Sequence, residues 1–347
     1  MSNSVPPSTT AIATSAHAEE HTRDTSAIRY LFSKLGGAAI SLGMVIVLGF
    51  FAFKILPGDP VASIAKQRSM SPEQMDMLRE QFGLNKPLWQ QFIDYLVNVF
   101  TLNFGESYVY KTSVSSLIAQ YFWPTILLTG TAAILAIVLG LWLGQKAAWK
   151  HGSRFDKFVS SSSLVLWSVP TFWLGLILLM VFGGTLHWFP TGGMRSPNPP
   201  TDFLGASIDI ASHMVLPVIT MVAVVYAQYL MVMRSSLVEE MSADYLTTAR
   251  AKGLRDVQVR RRHAVPNAML PTVTLIFMHL GGLIAGAVTV ETVFSWPGLG
   301  KLTFEAITGP DLPLLQGTFV VFSTIIIAMN FIADLIYRQL DPRVRRA

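Results

Sequence analysis

Between Asp244 and Pro271 the chain reads DYLTTARAKGLRDVQVRRRHAVPNAMLP, and Arg250, Lys252, Arg255, Arg260, Arg261 and Arg262 fall within a few turns of chain. Guanidinium and ammonium groups are pure donors, and at this density they form charge-assisted hydrogen bonds with acidic groups on a partner. Other reactive groups are sparse. Cysteine is absent, which excludes disulfides, thiolate metal sites and a Cys nucleophile. No Ser/His pair, paired Asp or HExxH pattern is placed to do chemistry. Gly298–Lys301 (GLGK) is not a phosphate loop, because position 295 is Ser and position 302 is Leu, where that motif needs Gly and Ser/Thr. His279, beside Met278, has no second His or carboxylate at ligand spacing, so it makes a poor metal site.

The basic residues need a scaffold. Asp244–Lys252 can form a short helix with Tyr245, Ala249 and Lys252 on one face and Leu246 beside Ala249. Gly253 is placed to end it in the left-handed conformation that only Gly adopts cheaply. A second helix, about Asp256–Ala264, follows with its cations outward. Two small helices at an angle make a knob. Its small residues Ala249, Ala251 and Gly253 suit a groove on a partner. The alternative is a basic loop held only by lipid headgroups.

The rest of the chain is apolar. Of 347 residues 51% are hydrophobic and 14% charged, against roughly 25% charged in soluble domains. Residues 35–53, 112–145, 158–194, 210–233, 263–290 and 312–333 contain no Asp, Glu, Lys or Arg. A membrane-spanning helix needs about 20 apolar residues. The expected fold is therefore an all-α polytopic membrane protein with six spans, near residues 35–56, 121–145, 160–184, 213–233, 272–290 and 316–337. Backbone groups in lipid must be satisfied internally, which favours helices, and the runs do not alternate as barrel strands do.

Lys and Arg gather on one side of this arrangement. The tail (Arg23, Arg29, Lys34), the second loop (Lys146, Lys150, Arg154, Lys157), Arg234 with the basic loop at 239–271, and the C-terminus (Arg338, Arg343, Arg345, Arg346) share it. The positive-inside rule makes that side cytoplasmic, with both termini. The net charge of +5 then needs no nucleic acid to explain it; membrane lipid suffices.

Residues 1–28 are polar and Ser/Thr/Ala-rich, and are expected to form a disordered cytoplasmic tail without the pattern of a signal peptide. The extracytoplasmic loop 57–120 reads as partly helical. Ser71 and Pro72 start one helix, Gly83 ends it, and a second runs about Leu88–Phe100 with Leu88, Phe92, Tyr95, Leu96 and Val99 on one face. Trp123, Trp142, Trp149, Trp173 and Trp188 lie near span ends as interfacial anchors. Pro124, Pro170, Pro217 and Pro271 are expected to kink or end helices. Asp334 can pair with Arg338 one turn later. Glu291, Phe294, Trp296, Pro297 and Gly298 form a turn on the outer side. It reads as an outer gate or a contact for an external protein, or as a simple tight turn.

Several segments together resemble one family. TARAKGL at Thr248–Leu254 and RRRHAVPNAMLP at Arg260–Pro271 look like the coupling loop of ABC-importer permeases. ILPGDP (Ile55–Pro60), FGLNKPLWQQF (Phe82–Phe92), LNFGESY (Leu102–Tyr108), SVPTFWLGL (Ser168–Leu176), VETVFSWPGLGKL (Val290–Leu302) and DPRVRR (Asp341–Arg346) match the dipeptide/oligopeptide/nickel branch, first-permease type. The resemblance covers about residues 29–346. The wider pattern, Glu-Ala-Ala, three residues, then Gly, maps to Thr247, Thr248 and Ala249 before Gly253, so its Glu and first Ala are missing here. Arg250, Lys252 and the following arginines are left to make that polar contact.

The resemblance implies a transport subunit of the bacterial cytoplasmic membrane and not an enzyme. It would form half of a path for di- or oligopeptides, or a related solute. Implied partners are a second permease, two ABC ATPases (or one fused) carrying the ATP and Mg, and an external solute-binding protein. This chain would bind no cofactor. Asp244, Tyr245, Thr247, Thr248, Ala249, Arg250, Ala251, Lys252, Gly253 and Leu254 would form the ATPase-coupling element. Met278 and His279 would face the path. A self-contained channel or ion-coupled transporter is the competing class. It would need intramembrane carboxylates or broken helices in pairs, and the sequence offers at best Glu291 and Asp334.

Overall fold

The computed structural model describes residues 9–55, 71–81 and 85–340. ILPGDP beyond Ile55, Gly83 and the DPRVRR segment lie outside the described residues. Among those described, the chain is helical, and the sole β feature is an isolated bridge between Glu106 and Ser113.

Helix α1 is Thr9–Ile55. It begins inside the segment expected to be disordered. No Gly or Pro interrupts Thr9–Lys34, and a helix nucleated in the apolar stretch propagates back at little cost per residue. Helix α2 is Pro72–Gln81. Ser71 and Gln74 close a reciprocal cap: the Gln74 amide donates to Ser71 Oγ at 3.3 Å, and Ser71 N–H donates to Gln74 Oε1 at 3.0 Å. Helix α3, Leu88–Phe100, buries Tyr95 and Val99 against Ile46 and Phe50 of α1. The predicted apolar face is therefore packed on a span from Phe92 onward, whereas Leu88, in the first turn, is exposed.

Helix α4 is Val114–Trp149 and α7 is Phe203–Glu240. They form the centre of the bundle. Between them lie α5 (Arg154–Ser168) and α6 (Thr171–Leu178), and a π-helical turn, Leu179–Thr185, continues α6. The single span expected at 160–184 is instead a pair bent by 100°. Pro170 causes the break, since it donates no N–H and pushes Val169 (φ −79°, ψ 129°) out of the helical region. By contrast Pro124 and Pro217 sit inside continuous helices.

Helix α8, Asp244–Ala251, and α9, Asp256–Val259, follow. A π turn, Arg260–Ala264, leads into α10, Val265–Val293. Helix α11 is Leu299–Thr308 and α12 is Leu312–Leu340. Among the described residues, helices within Arg29–Phe53, Val114–Trp149, Phe203–Glu240 and Leu312–Ile336 are long and apolar enough to cross a membrane, and the bent pair makes a fifth candidate. The 29-residue α10 occupies the fifth predicted span.

Asp334 meets a cation on another helix. Its carboxylate meets Lys34 Nζ of α1 at 2.9 Å, and Tyr30 donates to its carbonyl at 3.3 Å. The side chain of Arg338 lies outside the described residues. The long-range pair fastens α1 to α12.

Candidate functional site

Helix α8 is rooted in the bundle by one side. Leu246 is fully buried and Ala249 nearly so, against Ala148 of α4, Met233 and Leu237 of α7, Ala264 at the end of the π turn and Ala268 in the first turn of α10. Burying one such Leu contributes about 1.5–3 kcal/mol. Tyr245 adds a polar clamp. Its hydroxyl donates to Glu240 Oε1 at 2.5 Å and lies 3.2 Å from the His263 carbonyl, and Asn267 Nδ2 donates to it at 2.9 Å. Burial and the neighbouring Glu240 carboxylate raise the Tyr245 pKa above its ordinary value.

Ala249 therefore faces inward and is not part of a surface offered to a partner. At helical spacing it shares the buried side with Leu246, three residues earlier. The exposed side carries Asp244, Thr247, Thr248, Arg250, Ala251 and Lys252. Gly253 takes φ +80° and is exposed. It ends α8 as expected, because a side chain in that conformation is strained. Leu254 is half-buried beside the α8 core. On α9 and the π turn, Arg255, Arg261 and Arg262 are exposed, whereas the Arg260 guanidinium lies over the Trp149 ring at 5.6 Å. Arg250 reaches Asp256 at 3.7 Å, a loose, exposed pair between the two helices.

A second polar knot braces the same end. Asp156, fully buried at the start of α5, accepts from Arg234 Nε at 2.5 Å and Nη2 at 2.8 Å, and from Gly152 N at 2.9 Å. Ser153 caps α5 by accepting from Asp156 N at 3.2 Å. Sequence reasoning counted Arg234 only as one more cation. The available signal was Ser153 three residues before a lone acid in an otherwise basic loop.

The turn at Glu291–Gly298 lies at the other end of the bundle. Glu291, Phe294 and Trp296 are buried, and Pro297 is half-buried. Thr125 of α4 donates to Glu291 Oε1 at 2.7 Å, and Lys301 N donates to Glu291 Oε2 at 3.0 Å. The Thr125 hydroxyl in turn accepts from Leu299 N at 2.7 Å. Trp296 Nε1 donates to the Pro124 carbonyl at 2.9 Å. Glu291 thus caps α11, whose own first residue offers no side-chain cap. A free helix N-terminus attracts an anion, and here the anion is internal. A Cβ at Gly300 would stand 2.6 Å from Val288 Cα, so only Gly allows this approach. In this conformation the residues read as an outer gate or external contact form an interior latch.

The latch continues sideways. Asp311, buried between α11 and α12, accepts from Ser107 Oγ at 2.5 Å and Val109 N at 3.0 Å. Tyr110 donates to Glu305, which also meets Lys301 at 3.4 Å. Burial and Glu305 push the Tyr110 pKa up. Thr125, Ser107 and Asp311 escaped sequence reasoning, because their partners lie more than a hundred residues away. Met278 is 66% exposed and His279 half-buried, both on α10. They line a cavity between α6, α7 and α10.

Comparison with known proteins fits this architecture. Residues 136–346 match the family model described as "Binding-protein-dependent transport system inner membrane component". Residues 27–129 match the corresponding N-terminal model. The di/tripeptide transport system permease protein DppB of Pseudomonas aeruginosa is 35% identical over 332 residues, covering 92% of this chain and 99% of the relative. The dipeptide permease DppB of Escherichia coli K12 is 36% identical over 337 residues, and the glutathione transport system permease GsiC of that strain 35% over 321, with the same coverage. A solved structure of the MetNI methionine ABC transporter in an inward-facing conformation shares the fold, with TM-score 0.52 and 16% identity over 65% of this chain and 96% of that one. The chain is a member of the binding-protein-dependent transport system inner membrane component family, as a multi-pass membrane protein.

Proposed function

We propose that this permease subunit of an ABC importer forms half of a translocation path for di- or oligopeptides. An external binding protein delivers the cargo, and partner ATPases supply the ATP hydrolysis. The chain is a transport subunit, not an enzyme. The finer reading has six spans, cytoplasmic termini and α8–α9 as the element that seats in an ATPase groove. The observation that carries it is the root of α8. Leu246 and Ala249 join the ends of α4, α7 and α10 in one packed cluster, while small and basic residues remain exposed. A force applied to α8 is then delivered to three long helices together, which suits a rigid-body switch between two states. Peptide cargo is supported by the names of the relatives that match over nearly their whole length.

The test is co-purification in mild detergent with mass identification of bound subunits. Wild type is expected to carry ATPases. Ala251→Trp and Lys252→Glu, both on exposed positions, are expected to lose them while the chain still inserts and folds. Wild type that purifies alone and conducts solute in ATP-free vesicles would overturn the proposal in favour of a channel or ion-coupled transporter.

A further inference from the structure

Thr171, Gln228 and His279 come from three helices to line a cavity of about 240 Å³, together with Met221, Met278 and Gly282. Thr171 opens α6 just past the 100° bend, Gln228 lies on α7 and His279 on α10. All three positions fall within segments expected to cross the membrane. None of their side chains hydrogen-bonds to another described residue. The Tyr229 ring stands behind His279 at 6.0 Å and is itself fully buried.

Polar side chains without partners are costly at membrane depth, and those retained there mark solute pathways. Three of them converging on one open space need a common explanation. We propose that Thr171, Gln228 and His279 form a cargo site that recognises the amide backbone of a peptide as it passes. This inference rests on the transport function proposed above and adds the chemistry of recognition.

The lining holds no Asp, Glu, Lys or Arg, so it does not select on net charge. Its groups are neutral donor–acceptors: the Gln amide, the Thr hydroxyl and an imidazole with one donor and one acceptor. A peptide unit offers the complement, one N–H and one C=O. Met221 and Met278 are unbranched and adaptable, and can pack against side chains of differing shape. A Cβ at Gly282 would meet nothing within 4 Å, which leaves room along α10. Among the described residues no three His, Cys, Asp or Glu gather to hold a metal ion, so a bare cation is a poor match for this lining.

The chain has no cysteine, so Met278→Cys places a single thiol of this subunit at the cavity. The assembled transporter in vesicles is treated with a charged methanethiosulfonate, with and without alanyl-phenylalanine supplied on its binding protein. The thiol introduced by Met278→Cys is expected to react and to be protected several-fold by the peptide, while Ile332→Cys on α12 shows no protection. In parallel, His279→Leu should raise the KM of uptake several-fold and His279→Gln should restore it. If the Met278→Cys thiol is unreactive, or reacts without protection while wild type imports the peptide under ATP, the site is overturned but the transport function still stands. Assembled wild type that imports no peptide under ATP overturns both.

Discussion

The carboxylate of Asp156 receives two hydrogen bonds from the guanidinium of Arg234, at 2.5 and 2.8 Å, across 78 residues of sequence. The pair ties the start of α5 to α7 one turn before Leu237, which itself packs on α8. Any displacement of α8 is thus shared with α5 and, through it, with the bend at Pro170. Arg234→Leu leaves a buried carboxylate uncompensated and should cost about 3 kcal/mol, the lower end of the range for breaking a buried pair. Asp156→Leu with Arg234→Leu should recover much of that loss. Thermal unfolding of the four members of the cycle in one detergent measures the coupling.

The latch at Glu291 predicts an order among substitutions. Thr125→Val removes one donor to Glu291 and the acceptor of Leu299 N, and should cost about 1–3 kcal/mol for each group left unmet. Thr125→Ser, which keeps the hydroxyl, should be much milder. Gly300→Ala should be as damaging as Thr125→Val, because the atom it would meet is backbone. Protease susceptibility of the turn between Val293 and Leu299 follows the loosening.

Helix α8 separates stability from coupling. Leu246→Ala should destabilise by about 3–5 kcal/mol, as in other buried Leu truncations. Thr248→Arg, exposed, should leave stability unchanged within about 0.5 kcal/mol and still weaken ATPase association. Unfolding midpoints set beside pull-down yields distinguish the two effects.

The Tyr245 clamp gives the knob an alkaline limit. Its folded-state pKa is raised, so the folded state holds the phenol proton more tightly than the unfolded chain does. The stabilisation is complete below the ordinary tyrosine value of about 10 and is lost as pH rises through the higher folded value. Hydrogen exchange of α8 amides should accelerate above that range in wild type. Tyr245→Phe should start from faster exchange and lack that added step.

The helices and the knob were legible because their signals are local. Charge-free windows of span length, Gly253 after a short amphipathic stretch, and Ser71 before Pro72 and Gln74 each act within one or two turns. The bend at Pro170 was only half legible. Proline marks a break or a kink, and Pro124, Pro217 and Pro271 lie within unbroken helices, so the residue type alone does not choose. The long-range polar knots were not legible. Thr125 with Glu291, Ser107 with Asp311 and Lys34 with Asp334 are long-range pairs, and spacing along the sequence carries no trace of them. The inward turn of Ala249 was misread because small size suits a groove on a partner and a tight core equally.

Thr125 and Glu291 are 166 residues apart, which bears on how the protein is made. At roughly 5–20 residues per second, Thr125 waits on the order of ten seconds in the nascent chain before its acceptor is synthesised. Ser107 waits longer still for Asp311, 204 residues downstream. Helix α4 must therefore enter the membrane with the Thr125 hydroxyl turned only to the Tyr121 carbonyl one turn earlier, and the bundle is sealed by its final segments. A chain halted before Lys301 holds Glu291 by the Thr125 hydroxyl alone and lacks the backbone donor to its second oxygen, so the latch stays half closed until α11 is made.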